Sequence, residues 1–191
     1  MALMQTVRPR VSYSDLASMP EDGRRYEIYD GEVFVVPAPI PFHQVVVLNL
    51  EDRLREWTRQ HGGIVLVSPI DIVISEYDVV QPDLVFFAPA RAHLVKLDAP
   101  IRAIPDLVVE VLSPSTASTD RGKKLQLFAR SGLPEYWLVD PALRSVEINV
   151  LRSGVFALAG RHATGERITS SAAPGFTCLV DALFETPLIA G

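Results

Sequence analysis

Apolar residues recur along the chain at two different spacings, one typical of helices and the other of strands. Between residue 42 and about residue 60 they return every three or four positions, at Val46, Leu50, Leu54 and Trp57. This spacing places them on one face of an amphipathic helix, which Gly62-Gly63 ends. Ser113-Pro-Ser-Thr opens a second predicted helix, which runs to about Ser131.

Short apolar or alternating runs around these helices predict β-strands. They cover residues 25–29, 32–36, 64–67, 71–75, 83–87, 107–112, 135–139, 146–151, 155–158 and about 166–170. Asp30-Gly31 separates the first two runs, and Asp-Gly between β-rich segments is a strong hairpin signal. The runs that begin at Val146 and Val155 predict a later hairpin. Together these elements predict a single domain, residues 1–191, in which helices pack on a mixed sheet in an α/β or α+β arrangement.

The composition is that of an ordinary globular domain. Of the 191 residues, 48% are hydrophobic and 21% are charged, so the core needs neither a metal nor a disulfide to hold it. The single cysteine, Cys178, excludes an internal disulfide framework and suits a reducing compartment. The N-terminus has no long apolar segment behind a basic start, and no run approaches the ~18 residues of a membrane span. We therefore expect a cytoplasmic protein without membrane contact.

The formal net charge of −5 argues mildly against nucleic acid as a partner, because duplex binding depends on Lys and Arg side chains that neutralise phosphates. A local basic patch can nevertheless lie on an acidic protein. Acidic residues grouped at a metal site also lower the net charge, yet they do not repel a substrate once the metal is bound. The charge therefore leaves a nucleic-acid substrate open.

Glu110 is the most unusual residue of the sequence, because it lies inside the apolar run Leu107-Val-Val-Glu-Val-Leu. An ionised carboxylate in a buried strand costs free energy unless it is paired or binds a metal ion. Burial or a neighbouring like charge would raise its pKa, whereas a bound cation favours the ionised form. Two interpretations stay open from this run alone: a metal ligand, or a glutamate that faces solvent or pairs with an arginine.

Asp83 and Asp106 each follow a proline at the start of an apolar strand, so both are candidate partners for Glu110. Asp106 and Glu110 point to the same side of one strand, but their separation of four positions spans ~13 Å. That distance is too long for both carboxylates to bind one Mg²⁺ ion. Asp83 on a neighbouring strand is the better partner, because two such carboxylates can share a Mg²⁺ ion that keeps some of its waters. Asp106 is interpreted as a strand-entry or loop-capping residue.

The second predicted helix carries two adjacent lysines, Lys123 and Lys124. Its apolar face runs through Leu125 and Phe128. At ~100° per residue, Lys124 flanks that face while Lys123 lies nearly opposite to it. Lys124 can therefore reach the sheet, where an ammonium can orient a water or stabilise charge on a phosphoryl group. The alternative for either lysine is a solvated helix residue paired with Asp120.

Glu27 and His43 are two further candidates. Glu27 alternates with hydrophobic neighbours, so it is either a peripheral metal ligand or water-orienting group, or a cross-strand partner of Arg24 or Arg25. His43 stands near the start of the long helix, where a side chain can meet a phosphate, although a lone histidine there is more often a cap or a surface residue. The chain has no glycine-rich phosphate loop, no zinc-type Cys or His spacing and no Gly-x-Ser-x-Gly elbow.

Six stretches carry a family resemblance, and they are spread over most of the chain. They are Tyr26-Glu-Ile-Tyr-Asp-Gly-Glu-Val, Pro41-Phe-His43, Val80-Gln-Pro-Asp-Leu-Val-Phe, Pro105-Asp-Leu-Val-Val-Glu-Val-Leu-Ser-Pro-Ser-Thr, Asp120 through Lys124, and Gly132-Leu-Pro-Glu-Tyr-Trp-Leu-Val-Asp-Pro. In this order they resemble a bacterial restriction-endonuclease-like family, long a domain of unknown function, of the PD-(D/E)xK nuclease superfamily. The resemblance implies a restriction-endonuclease-like α-β-β-β-α-β core over about residues 25–151. It adds an N-terminal hairpin and a C-terminal β-hairpin, with residues 152–191 as an extension.

The same resemblance implies that Asp83 and Glu110 bind Mg²⁺ or Mn²⁺, with Glu27 near them. It also exposes a departure, because the superfamily pattern Glu-x-Lys would place a lysine where this chain has Leu112. The family resemblance implies that the lysine has moved onto the following helix, where Lys124 matches. This position agrees with the helical-face argument.

The leading hypothesis is a metal-dependent endonuclease that hydrolyses phosphodiester bonds, with DNA as the expected substrate. Its expected catalytic residues are Asp83, Glu110, Lys124 and Glu27, and its expected substrate-binding residues are His43, Arg121 and Lys123. A second hypothesis is a catalytically silent binding or interaction module on a nuclease fold, which the acidic net charge favours. A third, compatible with both, is a homo-oligomer, expected to be a dimer, assembled through the C-terminal hairpin and Leu179–Leu188.

Overall fold

The protein is described by a computed structural model that covers residues 9–20 and 22–186. The N-terminal residues 1–8, over which we expected no signal peptide, lie outside the described residues. So do positions 187 and 188 of the predicted oligomer surface.

The chain alternates a few helices with many strands. The strands are β1 (Arg25–Tyr29), β2 (Glu32–Val36), β3 (Ile64–Val67), β4 (Ile72–Ser75), β5 (Asp78–Val80), β6 (Leu84–Phe87), β7 (Leu107–Val111), β8 (Glu135–Asp140), β9 (Ser145–Arg152), β10 (Val155–Ala163), β11 (Arg167–Thr169) and β12 (Thr177–Leu179). The helices are α1 (Tyr13–Ser18), α2 (Pro41–His61), α3 (Ala117–Thr119) and α4 (Leu125–Arg130). A π-helical turn (Asp120–Lys124) joins α3 to α4, and 3₁₀ turns cover Pro89–Leu94 and Val180–Leu183.

The main sheet has six strands in the order β10-β9-β8-β7-β6-β3. Strands β7 and β8 are parallel, while the other neighbouring pairs are antiparallel. A parallel pair needs a crossover connection, and the helical segment α3 to α4 provides it. The series α2, β3, β6, β7, α3–α4 and β8 is the predicted α-β-β-β-α-β core, so the predicted fold class with its mixed sheet is confirmed.

A second, four-stranded antiparallel sheet has the order β2-β1-β5-β4. It contains the predicted hairpin, whose turn residues Asp30 and Gly31 both have positive φ, 50° and 82°. Two consecutive residues with positive φ are what a tight two-residue hairpin requires. Sequence patterning missed β5, a run of only three residues. It also did not predict that β4 pairs with β5 in this second sheet and is not part of the main sheet.

The amphipathic helix is confirmed as α2, with 21 residues between Pro41 and His61. Its buried face carries His43, Val46, Val47, Leu50 and Leu54. The helix ends at Gly62, whose φ of 82° is a conformation that favours glycine. Within residues 9–20 and 22–186, no helix is both long and apolar enough to cross a bilayer.

The two faces of the main sheet are covered by different elements. Alternate residues along β6 and β7 point to opposite faces. One face, which includes Phe86 and Val109, packs against α2 and the C-terminal segment. The other face, which includes Val85 and Val108, packs against α4 and the four-stranded sheet. Because Glu110 alternates with Val109, it points to this second face.

The C-terminal segment is held on the first face by a buried carboxylate. Glu135 in β8 is fully buried and accepts hydrogen bonds from the backbone N–H groups of Ser171 and Ala172, at 2.8 and 3.1 Å, and from the Ser171 hydroxyl. Leu183 and Phe184 of the predicted oligomer surface are also buried in the protein's own core. These two side chains are therefore not available to a second subunit, because they already pack within their own chain.

Replacing Glu135 with glutamine should detach this segment in part. The amide nitrogen cannot accept a hydrogen bond, so either the Ser171 and Ala172 N–H groups or the Trp137 indole N–H, which donates to the other carboxylate oxygen, loses its acceptor. A buried donor without a partner costs about 1–3 kcal/mol. We expect the free energy of unfolding to fall by that amount in urea denaturation. Glu166→Gln is the matched control, since Glu166 is exposed and accepts a single backbone bond from Ala163. A loss at Glu166 as large as that at Glu135 would contradict the anchoring role.

Candidate active site

Asp83 and Glu110 lie opposite each other where β6 and β7 pair. The register matches Leu84 with Val109, and one residue further along it Asp83 faces Glu110. Asp83 precedes the first residue of β6, so its side chain can reach the end of β7, and its Oδ2 accepts a 2.8 Å hydrogen bond from the Val111 N–H. The predicted pairing of these two carboxylates across neighbouring strands is therefore present.

Lys124 bridges the carboxylates of two different sheets. Its Nζ lies 2.8 Å from Oε1 of Glu110 in β7 and 3.0 Å from Oε1 of Glu27 in β1. It is also 3.5 Å from Oδ1 of Asp120, one turn earlier in the π-helical segment. Only 5% of Lys124 is exposed, so its ammonium is an interior cation with carboxylate neighbours on several sides.

Glu27 enters the cluster from the four-stranded sheet. It is 4% exposed, and its Oε1 accepts a 2.8 Å bond from the Gln81 N–H in addition to the contact with Lys124. Its Oε2 accepts the Tyr29 hydroxyl at 2.7 Å. These partners replace the arginines that a cross-strand ion pair would have used, and Arg25 instead donates to Ser68 and to the Pro37 carbonyl.

The electrostatics of the cluster follow from its burial and its excess of carboxylates. Burial raises the pKa of Glu110 well above its ordinary value, and Asp120, Asp83 and Glu27 raise it further against the opposing attraction of Lys124. Burial also raises the pKa of Asp120. For Lys124 burial alone would lower the pKa, but the summed attraction of the carboxylates, led by Glu110, raises it above the ordinary value. The lysine is therefore charged and is the natural counter-ion of the cluster.

His43 joins the cluster from the first turn of α2. Its Nε2 lies 3.1 Å from Oδ2 of Asp83, so the imidazole contacts the same carboxylate oxygen that accepts the Val111 N–H. The other ring nitrogen, Nδ1, is buried without a hydrogen-bond partner among the described residues. His43 is therefore buried beside Asp83 and is not a surface residue, while its expected contact with a phosphate stays a prediction.

The remaining predicted contacts behave differently. Arg121 lines the same cleft, but its guanidinium is bound by both carboxylate oxygens of Glu147, at 2.6 and 3.1 Å. Lys123 stays outside the cleft, because helix phase turns it away: its Nζ lies 3.4 Å from Glu32 and 4.0 Å from the centre of the Phe34 ring. Lys123 therefore does not lie beside Asp83 and Glu110.

A cleft of about 770 Å³ opens onto this cluster. One wall is the connection from β2 to α2, and the other is formed by the loops that follow β7 and β8. The polar side chains of its lining include Glu27, Asp83, Glu110, Asp120 and Lys124, and we call these five residues the acidic cluster. The acidic cluster is thus placed where a ligand in the cleft could contact it.

Sequence patterning missed part of this site. It treated Asp120 only as a neighbour that could neutralise a solvated lysine, yet Asp120 is 1% exposed and belongs to the acidic cluster. Its spacing of four residues from Lys124 places both on one helical face, which is the signal that could have included it. Gln81 was not considered, because its role rests on a backbone N–H that no side-chain pattern reveals.

The donor set of the acidic cluster suits a hard divalent cation. In the described part of the chain, no three His, Cys, Asp or Glu side chains stand together as a ready metal site. Mg²⁺ needs fewer protein ligands, because it keeps several waters and binds one or two carboxylates. Oδ1 of Asp83 and Oε2 of Glu110 would be available to a cation. The contacts that these two side chains make with other described residues use Oδ2 of Asp83 and Oε1 of Glu110.

Replacing Lys124 with methionine should reveal its role as counter-ion. The side chain keeps a similar unbranched shape but leaves Glu110 and Glu27 without their cation. Removal of one partner of a buried ion pair costs about 3–5 kcal/mol, so the metal-free variant should lose that much free energy of unfolding in urea. Lys123→Met is the matched control and should lose less than about 1 kcal/mol, because its pair with Glu32 is half-exposed. Equal losses in the two variants would contradict this assignment.

Comparisons with known proteins agree with this architecture. The sequence model of the Uma2 family, described as "Putative restriction endonuclease", matches residues 13–181. An uncharacterized protein of Synechocystis sp. is 28% identical over 147 residues, which cover 74% of each chain. A crystal structure from Anabaena variabilis, described as "a putative nuclease belonging to DUF820", has a TM-score of 0.72 at 17% identity and covers 91% of this chain and 97% of its own, so the fold is shared. Because the family match spans most of the sequence, the chain belongs to the Uma2 family of restriction-endonuclease-like proteins.

Proposed function

We propose that the protein is a metal-dependent endonuclease of the PD-(D/E)xK type that hydrolyses phosphodiester bonds of DNA. The observation that carries the proposal is the convergence of Glu27, Asp83, Glu110 and Lys124 from separate chain segments beside one cleft. A packed core does not require such a group, and buried ionisable side chains in a cleft are typical of catalytic sites. Membership of the Uma2 family supports the same class of reaction.

The proposed reaction gives a task to four members of the acidic cluster. A divalent cation held by Asp83 and Glu110 would stabilise charge on the phosphoryl oxygens and lower the pKa of the attacking water. Lys124 is placed to orient that water or to stabilise negative charge as the water oxygen attacks phosphorus and one P–O bond breaks. Glu27 acts through Lys124, because it holds the ammonium from the side opposite the main sheet.

Two features beside the acidic cluster suit a phosphate-containing substrate. No side chain of the described residues caps the N-terminus of α2, and Pro41 at its first position has no N–H, so the N–H groups of Phe42 and His43 are the ones that could meet an anion. His43 in that first turn contacts Asp83 through Nε2, which orients the imidazole beside the reacting centre. Arg25 adds a positive charge to the lining of the cleft, since the acceptors of its guanidinium among the described residues are neutral oxygens.

A catalytically silent module that binds rather than cleaves is the second candidate. The pairing of Arg121 with Glu147 and of Lys123 with Glu32 favours it, because neutralised cations contribute little to phosphate binding. The acidic net charge of −5 also favours the silent module. The two candidates differ in one result: a silent module binds the cation and hydrolyses nothing.

The variants Asp83→Asn and Glu110→Gln test the proposal directly. Both keep the shape of the side chain and remove a charge that would hold the cation, so Mg²⁺- or Mn²⁺-dependent cleavage of DNA should fall by about 100-fold or more. Circular dichroism should show an unchanged fold.

Asp106→Asn is the matched control, because Asp106 also follows a proline and starts a strand. Its carboxylate is committed to the Ala88 N–H and to Arg91, away from the cleft. This variant should lose stability and retain cleavage. Wild-type protein that cleaves no DNA with either metal would exclude the endonuclease.

Cation binding has a readout that does not depend on turnover. A divalent cation that relieves repulsion within the acidic cluster binds the folded state only, so the melting temperature should rise with the logarithm of its concentration once that exceeds the dissociation constant. We expect Mg²⁺ and Mn²⁺ to stabilise the wild-type protein and to leave Asp83→Asn almost unaffected in a thermal shift assay. Identical shifts in both proteins would place cation binding elsewhere.

A further inference from the structure

We propose that the cleft receives an unpaired strand of DNA, such as a single strand or an overhang, in preference to intact duplex. This inference rests on the proposed endonuclease function and names its substrate class. Three observations carry it: the depth of the acidic cluster, the apolar walls above it, and the small number of free cations around it.

The first observation is depth. Glu110, Glu27 and Lys124 are between 3% and 5% exposed, so a reacting phosphate has to enter the cleft to reach them. The cleft holds about 770 Å³, within the range of about 300–1,000 Å³ that is typical of sites for drug-sized ligands. That volume suits one or two nucleotides. One strand of a duplex can enter such a space only if its bases first separate from the complementary strand, and this unpairing costs free energy.

The second observation is the chemistry of the walls. The β2–α2 connection contributes an almost continuous apolar surface, and the opposite loops add more. The apolar lining includes Phe34, Pro37, Ile40 and Phe42 on one side, and Leu112 and Pro141 on the other. Duplex presents phosphates and sugars outward and hides the faces of its bases. Only an unpaired strand offers base faces that can pack on such walls, as they do on the aromatic platforms of single-strand binding proteins.

The third observation is the charge of the lining. It contains the cationic residues Arg25, Arg121 and Lys124. Two of them are neutralised, Arg121 by Glu147 and Lys124 by the acidic cluster, so Arg25 is left to meet a phosphate. Duplex-binding proteins that make many phosphate contacts depend steeply on salt. A strand held chiefly by its bases requires few phosphate contacts, which agrees with a net charge of −5.

The experiment compares DNA substrates of one sequence in four forms: single strand, blunt duplex, and duplex with a 5′ or a 3′ overhang. Labelled oligonucleotides are incubated with the full chain and Mg²⁺ or Mn²⁺. We expect unpaired regions to be cut at least about tenfold faster than blunt duplex, with cuts confined to unpaired positions. Equal or faster cleavage of blunt duplex would overturn the inference while leaving the endonuclease intact.

Binding affinity gives a second readout, which does not depend on catalysis. Fluorescence anisotropy with Glu110→Gln should show single strand bound at least about tenfold more tightly than duplex. If the wild type cuts nothing but this preference is present, the proposed catalysis is lost and the choice of substrate stands. If duplex binds as tightly as single strand, the inference is lost whatever the cleavage result.

A pair of matched variants locates the binding to the cleft. Phe42→Leu removes an aromatic face from the wall but keeps an apolar side chain, so single-strand affinity should fall at least about threefold, with duplex affinity unchanged. Phe156→Leu is the control, since Phe156 is also half-buried but lies on β10, outside the lining. Equal single-strand affinities of the two variants would overturn the assignment to the cleft.

Discussion

The ion cluster around Lys124 is the interaction on which the candidate site depends. One buried ammonium lies within 3.0 Å of carboxylates from β7 and from β1, two strands that belong to different sheets. An ion pair in the interior is stable only where both partners remain in contact, because each charge has lost its hydration. The cluster therefore fixes three elements at once: the central strand β7, the inner strand β1 of the second sheet, and the helical crossover that carries the lysine.

This constraint also accounts for the irregular helix. The segment that supplies Lys124 is a π-helical turn between two short α-helical pieces. Such turns insert one extra residue into a helix and occur frequently at functional sites. Here the turn holds Asp120 and Lys124 together at 3.5 Å while their side chains face the sheet. Tyr136 in the neighbouring strand β8 donates its hydroxyl to the Asp120 carbonyl, which ties the irregular backbone to the main sheet.

The residues that could be predicted are those whose role shows in local patterning. The hairpin around Asp30-Gly31, the helix α2 and the anomalous charge of Glu110 each follow from a few neighbouring residues, and the structure contains all three. The role of Glu27 was left between two alternatives, because it depends on the pairing of β1 with β5, strands that are far apart in the sequence. Periodicity indicates which face of a strand is apolar, but it does not indicate which distant strand will cover that face.

The two Pro-Asp pairs show the same limit more sharply. Asp83 and Asp106 have nearly identical local sequences, yet one contacts His43 and the Val111 N–H while the other binds Arg91 and caps the turn at Ala88. Strand rise predicts that Asp106 and Glu110 cannot share one ion, and in the structure the Asp106 carboxylate lies away from the cleft. The partners that each carboxylate found instead depend on sheet register, which patterning along one strand does not determine.

For a substrate that approaches the cleft, the positions of the charged side chains matter more than the net charge of the protein. The net charge of −5 counts the carboxylates of the acidic cluster as if they faced solvent, although Glu27, Glu110 and Asp120 are almost fully buried. Buried carboxylates contribute little to long-range repulsion when a cation lies among them, and Lys124 already neutralises part of their charge. A substrate approaching the cleft therefore meets apolar walls first and the acidic cluster last. Net charge argues against a protein that wraps duplex in a basic surface, but it does not argue against one that admits a strand to a buried cation site.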